Sequence, residues 1–157
     1  MPIPSVEPAD DLLGRWDRDQ ACLELVDAYE RAGLASFIGS SLVGIGFLEV
    51  APDDPENPCL HAKTVHRSLA FSVDGSYAGL DPSGTPVDGG RYRITSPGKV
   101  ELSEETERTS LSYSVDGDSL TFELVWPVPC ETIECLDHMA WATETFTLGP
   151  WAAHASR

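Results

Sequence analysis

The densest run of groups able to move a proton or hold an anion is His61, Lys63, His66 and Arg67. If residues 63–73 form a strand, alternate side chains point to opposite faces. His66 and Ser68 then share one face, and Lys63, Val65, Arg67, Leu69 and Phe71 share the other. A Lys or Arg aimed into a barrel would suit a ligand carboxylate or enolate. Surface charge at the open end of a strand is the more ordinary reading of the same residues. Six aromatic residues, Phe71, Tyr92, Tyr113, Phe122, Trp126 and Trp141, fall in or beside strand-like runs. The interior of a small barrel is either filled by such side chains or holds one small ligand. Each taken singly is more ordinarily core. Trp126 stands apart, because it ends a strand-like run just ahead of Pro127, where a barrel mouth would lie. Phe71, Tyr92, Tyr113, Phe122 and Trp126, with His66 and Arg67 as polar members, are therefore the ligand-lining set that the pattern offers.

Other chemistries find less support. Cys59-Leu60-His61 with His66 lacks zinc-ligand spacing, and His61 and His66 point apart on a regular strand. Glu134 and His138 would make one i, i+4 pair on a short helix, which is commonly a surface contact. No His-Glu-x-x-His occurs. No metal and no cofactor are expected. No Gly-x-Ser-x-Gly elbow is present, and Gly39-Ser40-Ser41 has no assignable His or Asp partner. Gly44-Ile45-Gly46 lacks the third glycine of a dinucleotide fingerprint and reads as strand kinks. Asp53-Asp54 sits in a Pro-rich loop and reads as solvated. Tyr92, Tyr113, His66 and Arg67 are the polar groups that would polarise a carbonyl if the chain is an enzyme. No catalytic residue is assigned.

Four cysteines, Cys22, Cys59, Cys130 and Cys135, permit three pairings. A local Cys130–Cys135 bridge would leave Cys22 to meet Cys59. Free thiols are an equal alternative, since Cys22 falls on the apolar face of a helix. Disulfides would place the chain in an oxidising, secreted setting and free thiols in the cytoplasm. The first residues, 1–11, lack the basic start and apolar middle of a signal peptide.

The net charge of −16 argues against a phosphate backbone and against anionic membrane surfaces. Solubility is its plainest meaning. The four glutamates between Glu101 and Glu107 read as a solvated hairpin edge. No run of about 18 apolar residues exists to span a membrane as a helix; the longest, 42–48, has the length of a strand.

The elements that must position these groups begin with a helix over 18–32. Asp17 is its N-cap and Gln20 its N3 partner. Cys22, Leu25, Val26 and Tyr29 form its apolar stripe. Gly33 supplies the left-handed C′ residue, with Leu34 folding back. Beyond it the period becomes two. Strands are predicted over 42–50, 63–73, 76–80, 91–95, 99–103, 109–115, 119–126 and 142–148, with a short helical stretch over 131–140. Asp74-Gly75, Pro97-Gly98 and Asp116-Gly117-Asp118 are the turns, and 51–58 is a Pro-rich loop. About eight short strands in series suit an up-and-down antiparallel β-barrel, with a β-sandwich as rival. One domain covers residues 1–157, with 1–13 as an extended arm; no repeat of fixed period is seen.

Gly14-Arg15-Trp16 ahead of a series of hairpins resembles the lipocalin and calycin superfamily. So do Asp74-Gly75-Ser76-Tyr77, Gly90-Arg91-Tyr92-Arg93-Ile94 and Asp116-Gly117-Asp118-Ser119-Leu120-Thr121-Phe122, which look like lipocalin-like domains of bacteria. The Cys22-Leu23-Glu24-Leu25-Val26 helix is similar to one in small actinobacterial proteins of this type. The resemblance implies a tryptophan that closes one barrel end under a basic side chain, here Trp16, with Arg157 as candidate partner. In that family a strand follows the tryptophan, whereas a helix is expected here. The resemblance also implies a cavity for a small hydrophobic molecule, or for a cyclase or isomerase that works by confinement. A ligand-free structural or interaction domain is the third reading.

Overall fold

A computed structural model describes residues 11–105 and 107–154. Most of the arm expected over 1–13 lies outside them, as does Arg157. The described residues gather in two compact units. One holds those up to Arg18 with 67–125 and those from Gly149 on; the other holds 19–66 and 126–148.

The first unit is organised by a closed antiparallel barrel. Its strands are β1 (Gly14–Gln20), β2 (Val65–Phe71), β3 (Ser76–Leu80), β4 (Pro86–Ser96), β5 (Lys99–Glu104), β6 (Glu107–Asp116), β7 (Ser119–Val125) and β8 (Trp151–Ala153). They follow sequence order around the ring, and β8 closes on β1 through Trp16↔Ala153 and Asp17↔Ala152. The turns do what their residues demand. Gly75 takes φ +88, and the Asp74 carboxylate accepts both the N–H and the hydroxyl of Ser76, at 2.9 and 2.6 Å. That pins Phe71 opposite Tyr77. Burial alternates along the strands, so Leu69, Phe71, Tyr77, Tyr92, Val100, Leu102, Leu111, Leu120 and Phe122 face inward. Each fully buried side chain of this kind contributes roughly 1.5–3 kcal/mol.

The strand number agrees with the sequence reading, but two members differ. Residues 14–20 form β1 where a helix was predicted from residue 18. Asp17 is therefore no N-cap, and Gln20 no capping partner. The inward positions of β1 are Trp16, Arg18 and Gln20, all buried; two polar side chains hide the alternation that would reveal a strand. The strand that the lipocalin pattern places at the tryptophan is thus present. Residues 142–148 form no closing strand. They end a helix and add a π turn, Thr143–Thr147, and the closing strand is the three-residue β8. β4 starts at Pro86, ahead of the strand expected over 91–95, whose earlier part is hidden because Pro86, Gly89 and Gly90 are poor strand formers.

The second unit is helical. Helix α1 (Cys22–Arg31) starts after Ala21, whose N–H donates to the Glu24 carboxylate at 2.8 Å. It ends in the expected Schellman turn: Gly33 at φ +75 donates to Glu30 O, and Leu34 donates to Tyr29 O. Helix α2 (Ile38–Ile45) replaces the strand expected over 42–50. An unbroken apolar run carries no period to separate the two, and here Gly46, at φ +107, serves as a left-handed helix cap. Helix α3 (Ile133–Ala142) is capped by Thr132, whose hydroxyl accepts the Cys135 N–H at 3.1 Å. Cys22, Leu25, Tyr29, Leu34, Ile38, Leu42, Phe47, Val65 and Ala140 form the core of this unit. Two disulfides brace it, Cys22–Cys59 and Cys130–Cys135. Among the described residues no helix is long and apolar enough to cross a membrane.

Candidate functional site

The residues predicted to line a ligand are dispersed. Phe71 and Tyr92 do meet inside the barrel, rings perpendicular with centroids 5.2 Å apart, and Tyr77 stacks on Phe71 at 6.1 Å. The Tyr92 hydroxyl donates to Ser72 O at 2.8 Å. Phe122 is buried and lies opposite Tyr113 in register. His66 faces out from β2 with Nδ1 2.8 Å from Asp19 Oδ1, and Arg67 lies half-buried on the alternate face. Trp126 belongs to the helical unit and is 45% exposed.

Around Trp16, Leu120 and Trp151 the barrel interior is occupied by its own side chains, while Leu69, Phe71, Tyr77 and Tyr92 keep a little accessible surface. Trp16, Leu120 and Trp151 have no accessible surface, and Val100, Leu102, Leu111 and Phe122 have almost none. A side chain that lined even a water-sized void would keep some accessible area, so these residues pack against one another. Burial raises the Tyr113 hydroxyl above its ordinary pKa, with Asp11 and Tyr92 adding to the effect. Tyr77 is raised further, by burial and by the Glu104 carboxylate that accepts its proton at 2.8 Å. Both therefore stay protonated at neutral pH and act only as neutral hydrogen-bonding groups.

One polar constellation combines Ser, His and Asp. Asp17 Oδ1 accepts from the Ser68 hydroxyl and, at 3.4 Å, from Arg15 Nε; Asp17 Oδ2 lies 2.6 Å from His154 Nδ1. The carboxylate stands between serine and imidazole, so the serine proton is directed to Asp17 and not to a histidine. That geometry ties strands together and activates no nucleophile. Burial works to raise the Asp17 pKa, but the Ser68 and His154 bonds outweigh it and leave it lowered. Among the described residues no three His, Cys, Asp or Glu side chains are grouped to hold a metal ion.

A better-formed recess lies in the helical unit, across the end of the strand expected over 42–50, the Pro-rich loop 51–58 and the Cys59, His61 and Lys63 positions already noted. After Gly46 the chain leaves α2 and returns at Lys63, whose N–H donates to Phe47 O at 3.1 Å and closes the neck. Between them run local turns: Asn57 N–H to Asp54 O, Leu60 N–H to Asn57 O, Ala62 N–H to Cys59 O, and Glu56 N–H to the Asp54 carboxylate. Pro52, Pro55 and Pro58 limit the backbone further. Cys59 is tied to Cys22 at the start of α1. The recess, partly open to solvent, holds about 320 Å³. Phe47, Leu48, Val50, Pro52, Pro58 and Leu60 supply apolar walls; Asp53, Asp54, His61 and Lys63 supply polar groups. Three prolines and a cysteine in so short a span were the available signal. A recess made by chain folding on itself has no periodicity to announce it.

No known protein family, no curated protein and no solved structure matches this chain.

Proposed function

We propose that the protein binds a small apolar molecule in the recess formed by residues 47–63. The observation that carries this reading is the recess itself: a space of about 320 Å³, mostly apolar, with a few polar groups at hand. Ligand sites have this size and make-up, with polar groups that orient the bound molecule. A calycin-like relationship agrees with it in a general way. The closed eight-stranded ring fits a lipocalin-like barrel, and Gly14 and Trp16 begin its first strand. Fold alone carries no function, however, and the tight packing around Trp16, Leu120 and Trp151 favours the recess over that part of the barrel interior. Two disulfides favour an oxidising compartment.

The second reading, a ligand-free structural domain, is favoured by that same tight packing and by the bracing disulfides. The cyclase or isomerase reading draws on Tyr92, Tyr113, His66 and Arg67, of which His66 is paired with Asp19 on the outer face of β2. Native mass spectrometry of fresh protein, followed by titration with the apolar dye Nile red, separates the first two. Binding is expected, and Leu60→Glu is expected to weaken it about tenfold or more by placing a charge in an apolar wall. Leu60 is 62% exposed, so the change leaves the core alone. Val128→Glu, exposed and outside the recess, serves as control. No retained mass and no dye binding would leave the structural-domain reading.

A further inference from the structure

The recess has a single covalent tie, and its placement bears on control of binding. Cys59 sits between Pro58 and Leu60, both of which line the space. Its partner Cys22 is the first residue of α1 and part of the helical core. No helix or strand lies within residues 47–63. The turns over residues 54–62 are local, spanning two or three residues each, and fix no distance between the 47–50 wall and the 58–60 wall. The 47–50 wall is anchored on its own: the Phe47 and Leu48 N–H groups donate to Leu42 O at 2.9 and 3.3 Å, Phe47 and Leu48 pack with the helical core, and Pro52 rests near Gly39 of α2, whereas the 58–60 wall is tied to α1 by the disulfide and followed by the Ala62 packing and the Lys63–Phe47 bond.

We infer that the Cys22–Cys59 disulfide is a redox latch on the recess, which holds a bound molecule while oxidised and releases it on reduction. This rests on the binding function proposed above. The two sulfurs are unequally placed for exchange with a dithiol. Cys59 is half-buried and Cys22 is buried, so an incoming thiolate attacks Cys59 Sγ. The S–S bond breaks, its electron pair passes to Cys22 Sγ, and a mixed disulfide forms at Cys59. The second thiol of the reductant then displaces Cys59, and the reductant leaves as its own disulfide. Two electrons and two protons have passed to the cysteine pair. The departing Cys22 thiolate lies at the first turn of α1, whose dipole offsets part of the cost imposed by its burial in the apolar core and by the Glu24 carboxylate of the same turn. With the bridge open, the 58–60 wall loses its covalent tie to α1 while the 47–50 wall stays anchored to α2, and the two walls separate. Cys130–Cys135 spans five residues ahead of α3 and touches no part of the recess.

The test uses the full chain and Nile red, with and without dithiothreitol, alongside amide hydrogen exchange. The same measurements on a Cys130→Ser, Cys135→Ser variant isolate the Cys22–Cys59 bridge. Reduction is expected to weaken dye binding about tenfold or more, since the binding-competent form becomes a minor one. Amides over 47–63 should lose far more protection than those of β4–β7, which fall only by the fold stability that the open bridge removes, and the variant should behave alike. Equal binding in both redox states would overturn the latch and leave the binding function standing. Equal loss of protection in β4–β7 would also overturn it, making the bridge a brace for the fold. Absence of binding by the oxidised protein would overturn the binding function itself.

Discussion

Replacing glycine by alanine at two positions should move stability in opposite directions, and the sign at each follows from what a new Cβ would meet. Gly44 lies in the interior of α2, on its exposed side, with no atom within 4 Å of a built Cβ. Alanine removes backbone freedom from the unfolded chain and suits the helix, so Gly44→Ala should stabilise by about 0.5–1 kcal/mol. Gly90 lies in β4, where a Cβ would stand 2.0 Å from Ser103 O and 3.0 Å from Ser103 C of β5. Both are backbone atoms, so no side-chain rotation relieves the clash. The strands must part by more than an ångström at this point, which strains the Arg91↔Ser103 register pair. Gly90→Ala should therefore destabilise by about 1–3 kcal/mol, the range for overpacking a close contact. Gly79 makes an internal control. Its Cβ would meet Asp88 Oδ1 at 2.2 Å, but that is the end of a side chain able to turn away, so the loss should be smaller than at Gly90. Guanidinium unfolding followed by tryptophan fluorescence gives all three values. In thermal unfolding each kcal/mol corresponds to about 2–4 °C for a chain of this size. A Gly90→Ala protein as stable as wild type would refute the close approach of β4 and β5. A destabilised Gly44→Ala protein would refute the helical placement of residue 44.

The two disulfides should differ in thermodynamic weight. Their sequence separations are 37 and 5 residues, and loop-closure entropy assigns about 4 kcal/mol to Cys22–Cys59 and about 2 kcal/mol to Cys130–Cys135. Paired Cys→Ser variants, compared by denaturant unfolding, check the order; equal losses would contradict it. Asp17 should make the fold acid-sensitive. Its folded pKa lies below the unfolded value near 3.8, so between the two the unfolded chain binds more protons. Its contribution is whole above the unfolded pKa and fades as pH falls through the folded one. Asp17→Asn should cost about 1.5–3 kcal/mol at neutral pH and flatten the stability profile below about pH 4. An unchanged profile would show that the Ser68 and His154 bonds do not favour the charged form.

Much of the barrel is legible from local chemistry. Asp74-Gly75, Pro97-Gly98 and Asp116-Gly117-Asp118 each select a tight turn, and a tight turn between alternating runs leaves one neighbour for each strand. The same holds for the C-terminus of α1, where Gly33 and Leu34 specify the Schellman geometry without help from the rest of the chain. The misreadings share one cause, which is that the apolar pattern was silent. Arg18 and Gln20 are buried polar side chains. Gln20 Nε2 donates to Thr145 O at 3.1 Å, a partner 125 residues away, so only the folded chain makes burial of that amide tolerable. Residues 42–48 are apolar on every side, and their helix depends on Ile38 and Leu42 finding the α1 core rather than on any period of their own. β8 is three residues long and becomes a strand only because β1 and β7 leave two edges to join.

The candidate site divides in the same way. From sequence alone follow the hairpin order of β2 to β7, the α1 stripe, the cysteine inventory and a net charge of −16. These depend on residue type and on neighbours a few positions apart. Ring closure, the interior filled by Trp16 and Trp151, the pairing of Cys22 with Cys59 and the recess over residues 47–63 were decided by tertiary structure. Each requires distant segments to meet, and whether the enclosed space is filled or left open depends on how side-chain volumes pack, which no spacing along the chain encodes.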